Sequence, residues 1–597
     1  MAFTAPVADI VFALEAAAGF SDLAGTGAFD DIGHDTLLAV LGEAGRFASD
    51  VVAPLNRVGD LEPARLENGR VVTPPGFAEA YRAWCAGGWM GLSADPAFGG
   101  QGLPYAVNVA VAEMINAASL SFSLSTLLTQ GAASALAAHG SAELKERLLG
   151  RLVSGEWAGT MNLTESQSGS DLATIKTRAV PEGDGTYRIT GQKVFITYGD
   201  QEWTANIVHL VLARLAGAPQ GTRGISLFAV PKRLIGEDGS PGDLNDLRPL
   251  RLEHKLGIHG SPTCVMSYGE NGGAVGYLVG EENHGLAGMF TMMNLARLMV
   301  GIQGVGIAER ATQQAVAYAH ERRQGRGEGD PVEVSLPIAR HPDVHRMLSG
   351  MRALTAAARA ICLNAAVAID LARHAGAAET RARAAARADL LTPIAKSFAT
   401  DVGVEVASTG IQVHGGTGYM EETGAAQHLR DARILPIYEG TNGIQAIDLV
   451  LRKVARDQGA AAHAEIDALR AVAGAATASN EPLFGPLGHR LGEALEDLSE
   501  TTDWIVRSAG DDADAVLAGA TPYLRLFALT AGAGYLARGA LAASQETAGD
   551  ETRERILLAR LFAETALAET GALRRTVTGA GEALALYRLP DAVQPAR

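Results

Sequence analysis

The sequence has few cysteines: three in 597 residues, Cys85, Cys264 and Cys362, far apart and without CxxC spacing. Disulfide frameworks and zinc sites need closely and regularly spaced cysteines. The pattern therefore excludes a cysteine-rich secreted fold and a cysteine-based metal centre, and we expect no metal site. It fits a reducing compartment, so we expect the protein in the cytoplasm.

Basic residues are fewer than acidic ones, with 50 Lys+Arg against 67 Asp+Glu and a formal net charge of −17. Nucleic acids are bound through basic surfaces, so this balance argues against a nucleic-acid partner. The first twenty residues lack a basic start and include Asp9 and Glu15, which predicts an amphipathic helix rather than a signal peptide. Polar residues interrupt the other apolar runs, so we expect no membrane-spanning helix and no stable membrane insertion.

Several common catalytic signatures are missing as well. The sequence contains no GxSxG, no HExxH, no Walker A loop and no GxGxxG between a strand and a helix. The segment GIQGVG at 301–306 lies in a helical pattern, where small residues allow close helix packing. A dinucleotide-binding fold is therefore disfavoured, and any cofactor must be held in another way.

The order of helical and strand-like sequence patterns along the chain predicts an α+β fold. Residues 161–280 contain short runs rich in β-branched residues and the hairpin signal EGDGTY, and helical patterns lie on both sides of them. The predicted domains are an N-terminal helical domain at 1–160, a small, largely antiparallel β domain at 161–280, a helical domain at 281–455 and an appended helical domain at 456–597.

Two polar segments of the predicted β domain can contact a ligand. The first, MNLTESQSGSDLATIKTRA, places hydroxyl groups and backbone N–H groups in one loop, at Thr164, Ser166, Ser168, Gly169 and Ser170. Such a loop can bind the heteroatoms of a flat heterocycle or an anion, or it is a serine-rich capping turn. The second, GQKVFITYGD, has Phe195 and Thr197 on one face of a strand, either against a ligand ring or as part of a half-buried hairpin.

The helical segments carry further candidates. Asn294 and Arg297 are three positions apart on one helix face, where the arginine can bind a ligand, snorkel or pair with a carboxylate. The basic cluster in YAHERRQGR is a phosphate clamp or a set of cations at a helix C-terminus. In GIQVHGGTGY, a helix C-cap explains one glycine but not three, so the backbone there is expected to approach a ligand.

The segment LPIYEGTNGIQ places one carboxylate, Glu439, between Tyr438 and a glycine. Glu439 is a catalytic base, or an acidic residue that favours the N-terminus of a helix capped by Thr441 or Asn442. Local spacing alone leaves both interpretations open.

Together, six motifs in this order resemble the acyl-CoA dehydrogenase family over about residues 40–455. They are LTESQSGSD, VFITYGD, RLMVGIQGVGIAERA, YAHERRQGR, IQVHGGTGY and IYEGTNGIQ. The resemblance implies a non-covalent FAD, an acyl-CoA substrate, α,β-desaturation and electron-transferring flavoprotein as the electron acceptor. It also implies a homo-oligomer, and we expect a dimer because the appended domain could cover the surface that other members use to form tetramers.

The same resemblance assigns roles to individual residues. Glu439 is the catalytic base, and its backbone N–H is expected to bind the thioester carbonyl. The residues implied to contact FAD are Thr164, Gly169, Ser170, Phe195, Thr197, Arg322, Gln412, Gly416 and Thr441, of which Arg322, Gln412 and Gly416 reach the FAD of the neighbouring subunit. The residues implied to contact the acyl-CoA are Ser170, Asn294, Arg297 and Gly440.

The chain departs from common family patterns at three of its positions. Phe195 stands where tryptophan is frequent, Asn294 where aspartate is frequent, and Gly443 where a glutamine often contacts FAD. The length and the appended domain are most similar to the bacterial 3-methylmercaptopropionyl-CoA dehydrogenase subfamily, which acts in dimethylsulfoniopropionate breakdown. A general short- or medium-chain fatty acyl-CoA dehydrogenase is the main competing hypothesis.

The resemblance is also compatible with an acyl-CoA oxidase, which passes electrons to oxygen, and with an acyl-CoA-dehydrogenase-like DNA-damage-response protein. A DNA-damage-response protein of this kind needs a basic surface on its extra domain. Residues 456–597 contain 13 Arg, no Lys and 20 Asp+Glu, a net charge of −7. This acidic balance disfavours DNA binding.

Overall fold

The computed structural model describes residues 3–327, 331, 335–545 and 549–587. By compactness the chain forms two units, each assembled from three separate segments. The first unit contains residues 1–11, 29–348 and 400–439, and the second contains residues 12–28, 349–399 and 440–597. The predicted division into four domains stays a prediction.

The α-helices follow one another along the described chain as α1 (Val7–Phe12), α2 (His34–Phe47), α3 (Leu55–Leu61), α4 (Phe77–Ala86), α5 (Tyr105–Ala118), α6 (Leu120–His139), α7 (Ala142–Ser154), α8 (Gly285–Glu321), α9 (Pro342–His374), α10 (Ala378–His414), α11 (Ala425–Ala432), α12 (Asn442–Ile447), α13 (Ala460–Ala478), α14 (Leu487–Ser508), α15 (Ala513–Ala543), α16 (Asp550–Thr565) and α17 (Thr570–Leu586). Short π-helical segments occupy Ala13–Ala17, Ala48–Val52 and Asp448–Val454.

The strands are β1 (Arg65–Glu67), β2 (Arg70–Val72), β3 (Trp157–Asn162), β4 (Arg178–Pro181), β5 (Thr186–Thr197), β6 (Asn206–Leu215), β7 (Ser226–Pro231), β8 (Arg233–Ile235), β9 (Pro241–Leu244), β10 (Leu247–Leu252), β11 (Thr263–Tyr268) and β12 (Ala274–Val279). The main sheet of the first unit has the order β10-β11-β5-β12-β7-β6-β3, and β4 pairs with β5 and β6. β6 is parallel to β3 and β4, and the other pairs of this sheet are antiparallel. The α+β fold and its largely antiparallel middle region are therefore confirmed.

The predicted hairpin at EGDGTY joins β4 to β5. Pro181 pairs with Tyr187, and Gly183 and Gly185 have φ of 84° and 89°. Glycine adopts this left-handed region without steric cost, which is why the turn forms here.

The helices of the first unit pack closely where the sequence has small residues. A Cβ on Gly306 of α8 would lie 2.8 Å from the backbone N of Ala117 and 3.0 Å from the carbonyl O of Glu113, both on α5. The segment GIQGVG is therefore a helix-packing surface, as predicted, because only a residue without a side chain allows these backbones to approach so closely.

The second unit is helical and contains a buried polar network. Arg387 of α10 donates two hydrogen bonds to Glu465 of α13, at 2.6 Å and 3.0 Å, and Tyr535 of α15 donates to the same carboxylate at 2.5 Å. Arg387 also donates to Asn364 of α9 at 2.9 Å. The opposite charges and satisfied hydrogen bonds allow Glu465 to be buried among helices.

Within the described residues, three helices are long and apolar enough to cross a membrane by length and composition alone: α8, α9 and α15. Polar residues do interrupt these runs, such as Gln303 in α8 and Asn364 in α9, but contrary to expectation they do not make the helices too polar to cross a membrane by composition. Their most apolar windows are 67%, 78% and 78% buried inside the protein. Packing within the fold thus accounts for their composition.

Candidate active site

Glu439 is the last residue of the first unit and lies in a short loop that follows α11. Its φ is 56°, so this non-glycine residue has a left-handed backbone, and its side chain is half-buried. Such a conformation costs energy for a residue with a Cβ and is found most often at functional sites. The backbone geometry therefore supports a functional carboxylate at Glu439.

The residue before Glu439 is tied to α8. The hydroxyl group of Tyr438 donates a hydrogen bond to Oε1 of Gln303, and its backbone N donates to the carbonyl of Ile434 at 3.1 Å. Gln303 is almost completely buried. These bonds hold the loop that carries the carboxylate, so Tyr438 and Gln303 are positioning residues for Glu439.

A second strained residue supports the start of this loop. Ile258 has φ of 48°, which is unfavourable for a β-branched side chain, and its backbone N donates to Oδ1 of Asp431 on α11 at 2.5 Å. Nε2 of Gln427 donates to the other oxygen of Asp431 at 3.3 Å. Burial raises the pKa of Asp431 to about 6. The carboxylate thus holds a strained turn against the helix that precedes Glu439.

Replacing Asp431 with asparagine should flatten the pH dependence of stability between about pH 4 and 6. The unfolded pKa of aspartate is about 3.9. In that window the folded wild-type protein binds more protons than the unfolded chain, so its stability falls as the pH rises. At pH 7 the buried charge of Asp431 should lower the free energy of unfolding by roughly 2–3 kcal/mol. The asparagine variant avoids this loss. Melting temperatures of both proteins at pH 4.5 and 7 measure this. An unchanged pH slope in Asp431→Asn would contradict the assignment.

The loop after β3 is organised by a buried ion pair. Nζ of Lys193 donates to Glu165 Oε1 at 2.9 Å and to the carbonyl O of Leu163 at 2.9 Å. The Glu165 carboxylate also accepts from the backbone N of Lys176 at 2.7 Å and from the Thr177 hydroxyl at 2.6 Å. Burial raises the pKa of Glu165, but Lys193 and these hydrogen bonds outweigh burial and lower it to about 2.

This ion pair positions the predicted cofactor-binding loop. The carbonyl O of Thr164 accepts from the backbone N of Val194 at 2.9 Å, which joins the loop to β5. Gly169 and Ser170 are exposed on the same loop, and no atom lies within 4 Å of a Cβ built on Gly169. The structure therefore places Thr164 beside the strand that carries Phe195, with Gly169 and Ser170 exposed farther along the same loop.

The prediction of a regular strand around Phe195 is wrong in one respect, because the strand contains a β-bulge there. Val194 and Phe195 together oppose one residue of β11, which forms a β-bulge, and Phe195 has φ of 62°. The extra residue breaks the alternation of faces, so Lys193 and Val194 are both buried. Phe195 is 62% exposed, and Thr197 is half-buried.

The exposure of the Phe195 ring helps to decide whether the residues of this region fit FAD. A phenylalanine with this exposure offers a flat apolar surface, and the loop that contains the Thr164 and Ser170 hydroxyl groups is hydrogen-bonded to the same strand through the carbonyl O of Thr164. An isoalloxazine ring needs both an apolar face and hydrogen-bonding partners at its edge. The residues present fit that group, and Thr164, Phe195 and Thr197 would hold it.

Asn294 and Arg297 lie on α8, as predicted. Nη1 of Arg297 donates to Oδ1 of Asn294 at 3.3 Å, and Asn294 is exposed while Arg297 is half-buried. The same helix continues to Gln303, so the predicted substrate-binding pair shares a rigid element with a residue that positions the Glu439 loop. Their contact with acyl-CoA stays a prediction.

The residues predicted to reach a neighbouring cofactor lie near two helix ends that meet. The ring of Tyr318 on α8 stacks on His414 of α10, with ring centroids 4.4 Å apart. The hydroxyl of Tyr318 lies 3.1 Å from that of Thr417. Arg322, Gln412 and Gly416 are exposed beside these contacts. The structure thus groups the segments that carry them, and their contact with FAD stays a prediction.

Gly440 and Thr441 belong to the second unit. Thr441 is the N-cap of α12, where its hydroxyl oxygen accepts from the backbone N of Ile444 at 3.2 Å. Asn442 instead accepts from Nζ of Lys396 at 2.8 Å. Of the two caps considered from the sequence, the structure therefore selects Thr441.

Gln303 and Asp431 were not predicted as positioning residues. The available signal for Gln303 was a lone amide in the apolar segment MVGIQGVGI, since a buried polar group needs a hydrogen-bonding partner. Nothing local in the sequence pairs Asp431 with Ile258, because 173 residues separate them.

Most of the chain matches known protein-family models. Residues 35–156, 160–270 and 283–455 match the N-terminal, middle and C-terminal domains of acyl-CoA dehydrogenases. Residues 461–586 match a domain described as acetyl-CoA dehydrogenase C-terminal like. The chain belongs to the acyl-CoA dehydrogenase family.

Individual relatives refine this comparison. The chain is 46% identical to 3-methylmercaptopropionyl-CoA dehydrogenase of Ruegeria pomeroyi, over 98% of this chain and 99% of that protein. It is 36% identical to a butyryl-CoA dehydrogenase of Syntrophomonas wolfei, over 72% of each chain. The fold is similar to that of a Bacillus anthracis acyl-CoA dehydrogenase complexed with FAD, with a TM-score of 0.74, 22% identity, and 92% and 88% of the two chains covered.

These comparisons confirm four predictions from the sequence: the enzyme class, the cofactor, the substrate class and the order of the structural regions. The protein is an acyl-CoA dehydrogenase, an oxidoreductase with FAD as its cofactor and an acyl-CoA as its substrate. The order of helical, β and helical regions with an appended domain is that of the matched models. The roles of individual site residues, other than where the structure places them, stay predictions.

Proposed function

We propose that this protein catalyses the α,β-desaturation of a short acyl-CoA thioester, with 3-methylmercaptopropionyl-CoA as its substrate. The 46% identity to the Ruegeria pomeroyi enzyme, which extends over nearly the full length of both chains, supports this substrate. Within the structure, the single observation that supports the chemistry is the left-handed Glu439, at the end of a loop held by buried hydrogen bonds. The place of the reaction is then dimethylsulfoniopropionate breakdown.

The proposed chemistry assigns a proton transfer to Glu439. Its carboxylate removes the α proton of the thioester, while hydrogen bonds to the thioester carbonyl stabilise the negative charge that develops there. FAD supplies the hydride acceptor for the β carbon when it is bound. Tyr438 and Gln303 keep the carboxylate in place, because a base must stay within hydrogen-bonding reach of the proton it removes.

The substrate assignment predicts an order of kcat/KM. We expect 3-methylmercaptopropionyl-CoA to exceed butyryl-CoA and octanoyl-CoA by about tenfold or more, because one or two misfitting methylene groups cost roughly 1–3 kcal/mol in a shaped pocket. Steady-state rates with an artificial electron acceptor measure this. A higher kcat/KM for butyryl-CoA or octanoyl-CoA would instead favour a general short- or medium-chain dehydrogenase.

We further propose electron-transferring flavoprotein as the electron acceptor, a homodimer as the assembly and the cytoplasm as the location. A dehydrogenase and an oxidase differ in their electron acceptor, which is a protein for the first and oxygen for the second. After anaerobic reduction by acyl-CoA and admission of air, a dehydrogenase should form peroxide far more slowly than it turns over with its protein acceptor. Light scattering measures the assembly.

A further inference from the structure

Lysine is scarce in this protein, and its seven lysines are Lys145, Lys176, Lys193, Lys232, Lys255, Lys396 and Lys453. Their amino groups differ in what they bind. Those of Lys193, Lys232 and Lys453 form ion pairs with carboxylates. That of Lys396 donates to the amide oxygen of Asn442 at 2.8 Å, and those of Lys145 and Lys176 bond to no other described residue. Lys255 belongs to none of these groups.

Lys255 lies in the connection between β10 and β11, at residues 253–262 of the first unit. Its Nζ donates to the carbonyl O of Ser261 at 2.9 Å, which is the only hydrogen bond of this amino group within the described part of the chain. The carbonyl O of Lys255 lies 3.0 Å from Nε2 of His259, and the backbone N of Ser261 donates to the carbonyl O of Ile258 at 3.0 Å. The segment is therefore folded on itself and holds the lysine side chain in place.

Among the described residues, no carboxylate lies close enough to form an ion pair with Lys255. The titratable groups that face it are Glu253 of the same segment, Cys264 of β11 and Asp431 of α11, and each favours the charged ammonium. Burial acts in the opposite direction and is the largest effect, so the pKa of Lys255 falls to about 8. Lys255 is nevertheless only half-buried, and the neighbouring Leu256 is 63% exposed. The amine is thus weakly basic and close to the surface.

A weakly basic lysine can act as a nucleophile. Lysine attacks a carbonyl carbon only as the neutral amine, because the ammonium has no lone pair. At pH 8 about half of Lys255 is neutral, against less than about 1% of a lysine with the ordinary pKa of about 10.4. In the neutral form one N–H can stay on the Ser261 carbonyl, which leaves the lone pair for an electrophile. The substrate class of this family, an acyl-CoA thioester, supplies such an electrophile.

We propose that Lys255 is a self-acylation site, at which the lysine amine takes the acyl group of an acyl-CoA. The Nζ lone pair attacks the thioester carbonyl carbon, so that an N–C bond forms and the C–S bond breaks. The CoA thiolate leaves and takes up the proton that the nitrogen loses, which gives an amide and free CoA thiol without an oxidant or a reductant. The product places an uncharged side chain where the ammonium faced Glu253 and Asp431.

The test uses acetyl-CoA as the probe, because this thioester has no β carbon and cannot be desaturated. The wild-type holoenzyme is incubated with acetyl-CoA at about pH 7.5, and peptide mass spectrometry measures the acetylation rate at each lysine. We expect Lys255 to react roughly 3- to 10-fold faster than the exposed Lys176. The larger fraction of neutral amine at Lys255 should outweigh the lower intrinsic reactivity of a less basic nitrogen.

The pH dependence of the acetylation rate gives a second measurement on the same protein. The rate follows the fraction of neutral amine, so at Lys255 it should rise up to about pH 8 and level off above that pH. A lysine surrounded by water titrates near pH 10.4, so the rate at such a lysine should keep rising about tenfold per pH unit up to about pH 9.5. Lys193 also has a pKa lowered to about 8, but it is fully buried in its ion pair with Glu165 and should stay unmodified.

The variant Lys255→Arg is the matched control, because arginine keeps the positive charge and stays protonated. It should remove the fast-reacting site and leave the acetylation rates at Lys145 and Lys176 unchanged.

Three results would overturn the self-acylation site: a rate at Lys255 no higher than at Lys176, a rate at Lys255 that keeps rising to about pH 9.5, or equal acetylation of Lys193. The last result would show that the lysines react only in unfolded molecules. Because the lysines are compared within one wild-type protein, the test does not depend on the folding of a variant. Because acetyl-CoA cannot be desaturated, the result is also independent of the proposed substrate.

Discussion

Replacing Glu439 with glutamine should lower kcat by about 10²- to 10⁴-fold or more while the protein keeps its FAD, because the amide cannot accept the α proton. Glutamine has the same length and the same backbone requirements, so the left-handed conformation at φ of 56° is retained at similar cost. Stopped-flow reduction of the bound flavin by 3-methylmercaptopropionyl-CoA measures the chemical step directly, and the flavin absorbance of the purified protein reports FAD content.

A matched control removes another glutamate charge from the same unit. Glu146 is exposed on α7, and Glu146→Gln should leave both flavin reduction and FAD content unchanged. If Glu439→Gln reduces the flavin at the wild-type rate, Glu439 is not the base. If it loses both activity and FAD, the residue has a structural role in holding the cofactor region, and the experiment would assign it there.

Replacing Lys193 with methionine should destabilise the first unit by about 3–5 kcal/mol, because it leaves the Glu165 carboxylate buried without its ammonium partner. Lys193 is fully buried and Glu165 is 5% exposed, so water cannot replace the lost charge. The loop with Thr164, Gly169 and Ser170 depends on this pair, and we expect FAD content to fall as well. Calorimetry and flavin absorbance measure the two effects.

Two further variants identify the cause. Lys176→Met removes an exposed lysine from the same loop and should change the melting temperature little. The double variant Glu165→Gln/Lys193→Met removes both charges and should be more stable than Lys193→Met alone. A double variant no more stable than the single one would indicate that lost packing, rather than the unpaired charge, causes the destabilisation.

The pH dependence gives an independent test of the same pair. The folded pKa of Glu165, about 2, lies below the unfolded value of about 4.3. Glu165 therefore stabilises the wild-type fold above about pH 4.3, and this contribution is lost as the pH falls toward 2. The stability difference between wild type and Lys193→Met should accordingly be largest near neutral pH and shrink below pH 4.

Local patterns in the sequence were sufficient for much of the fold. Runs of β-branched residues with a hairpin signal at 182–187 predicted the antiparallel middle region, since strand and turn preferences depend on neighbouring residues. The glycines around 301–306 predicted close helix packing for the same reason. The ordered motifs located Glu439 and the loop at Thr164, although local spacing left the role of each open.

Contacts between residues far apart in the chain could not be predicted from local sequence patterns. The hydrogen bond between Tyr438 and Gln303 joins residues 135 positions apart, and the bulge at Phe195 depends on the register between β5 and β11. Hydrophobic periodicity describes which face of a helix or strand is buried, but it does not say which other element covers that face. The pairing of Asp431 with Ile258 could not be predicted for the same reason.

Residues close together in the chain were enough to establish the family, the order of the helical and β regions and the identity of the candidate base. Only the folded structure shows which side chains position that base, such as Tyr438 and Gln303, and that a buried carboxylate on α11 holds the strained backbone of Ile258. It also shows that each compact unit is assembled from three separate chain segments. These features depend on burial and hydrogen bonding between distant segments, which arise only when the chain has folded.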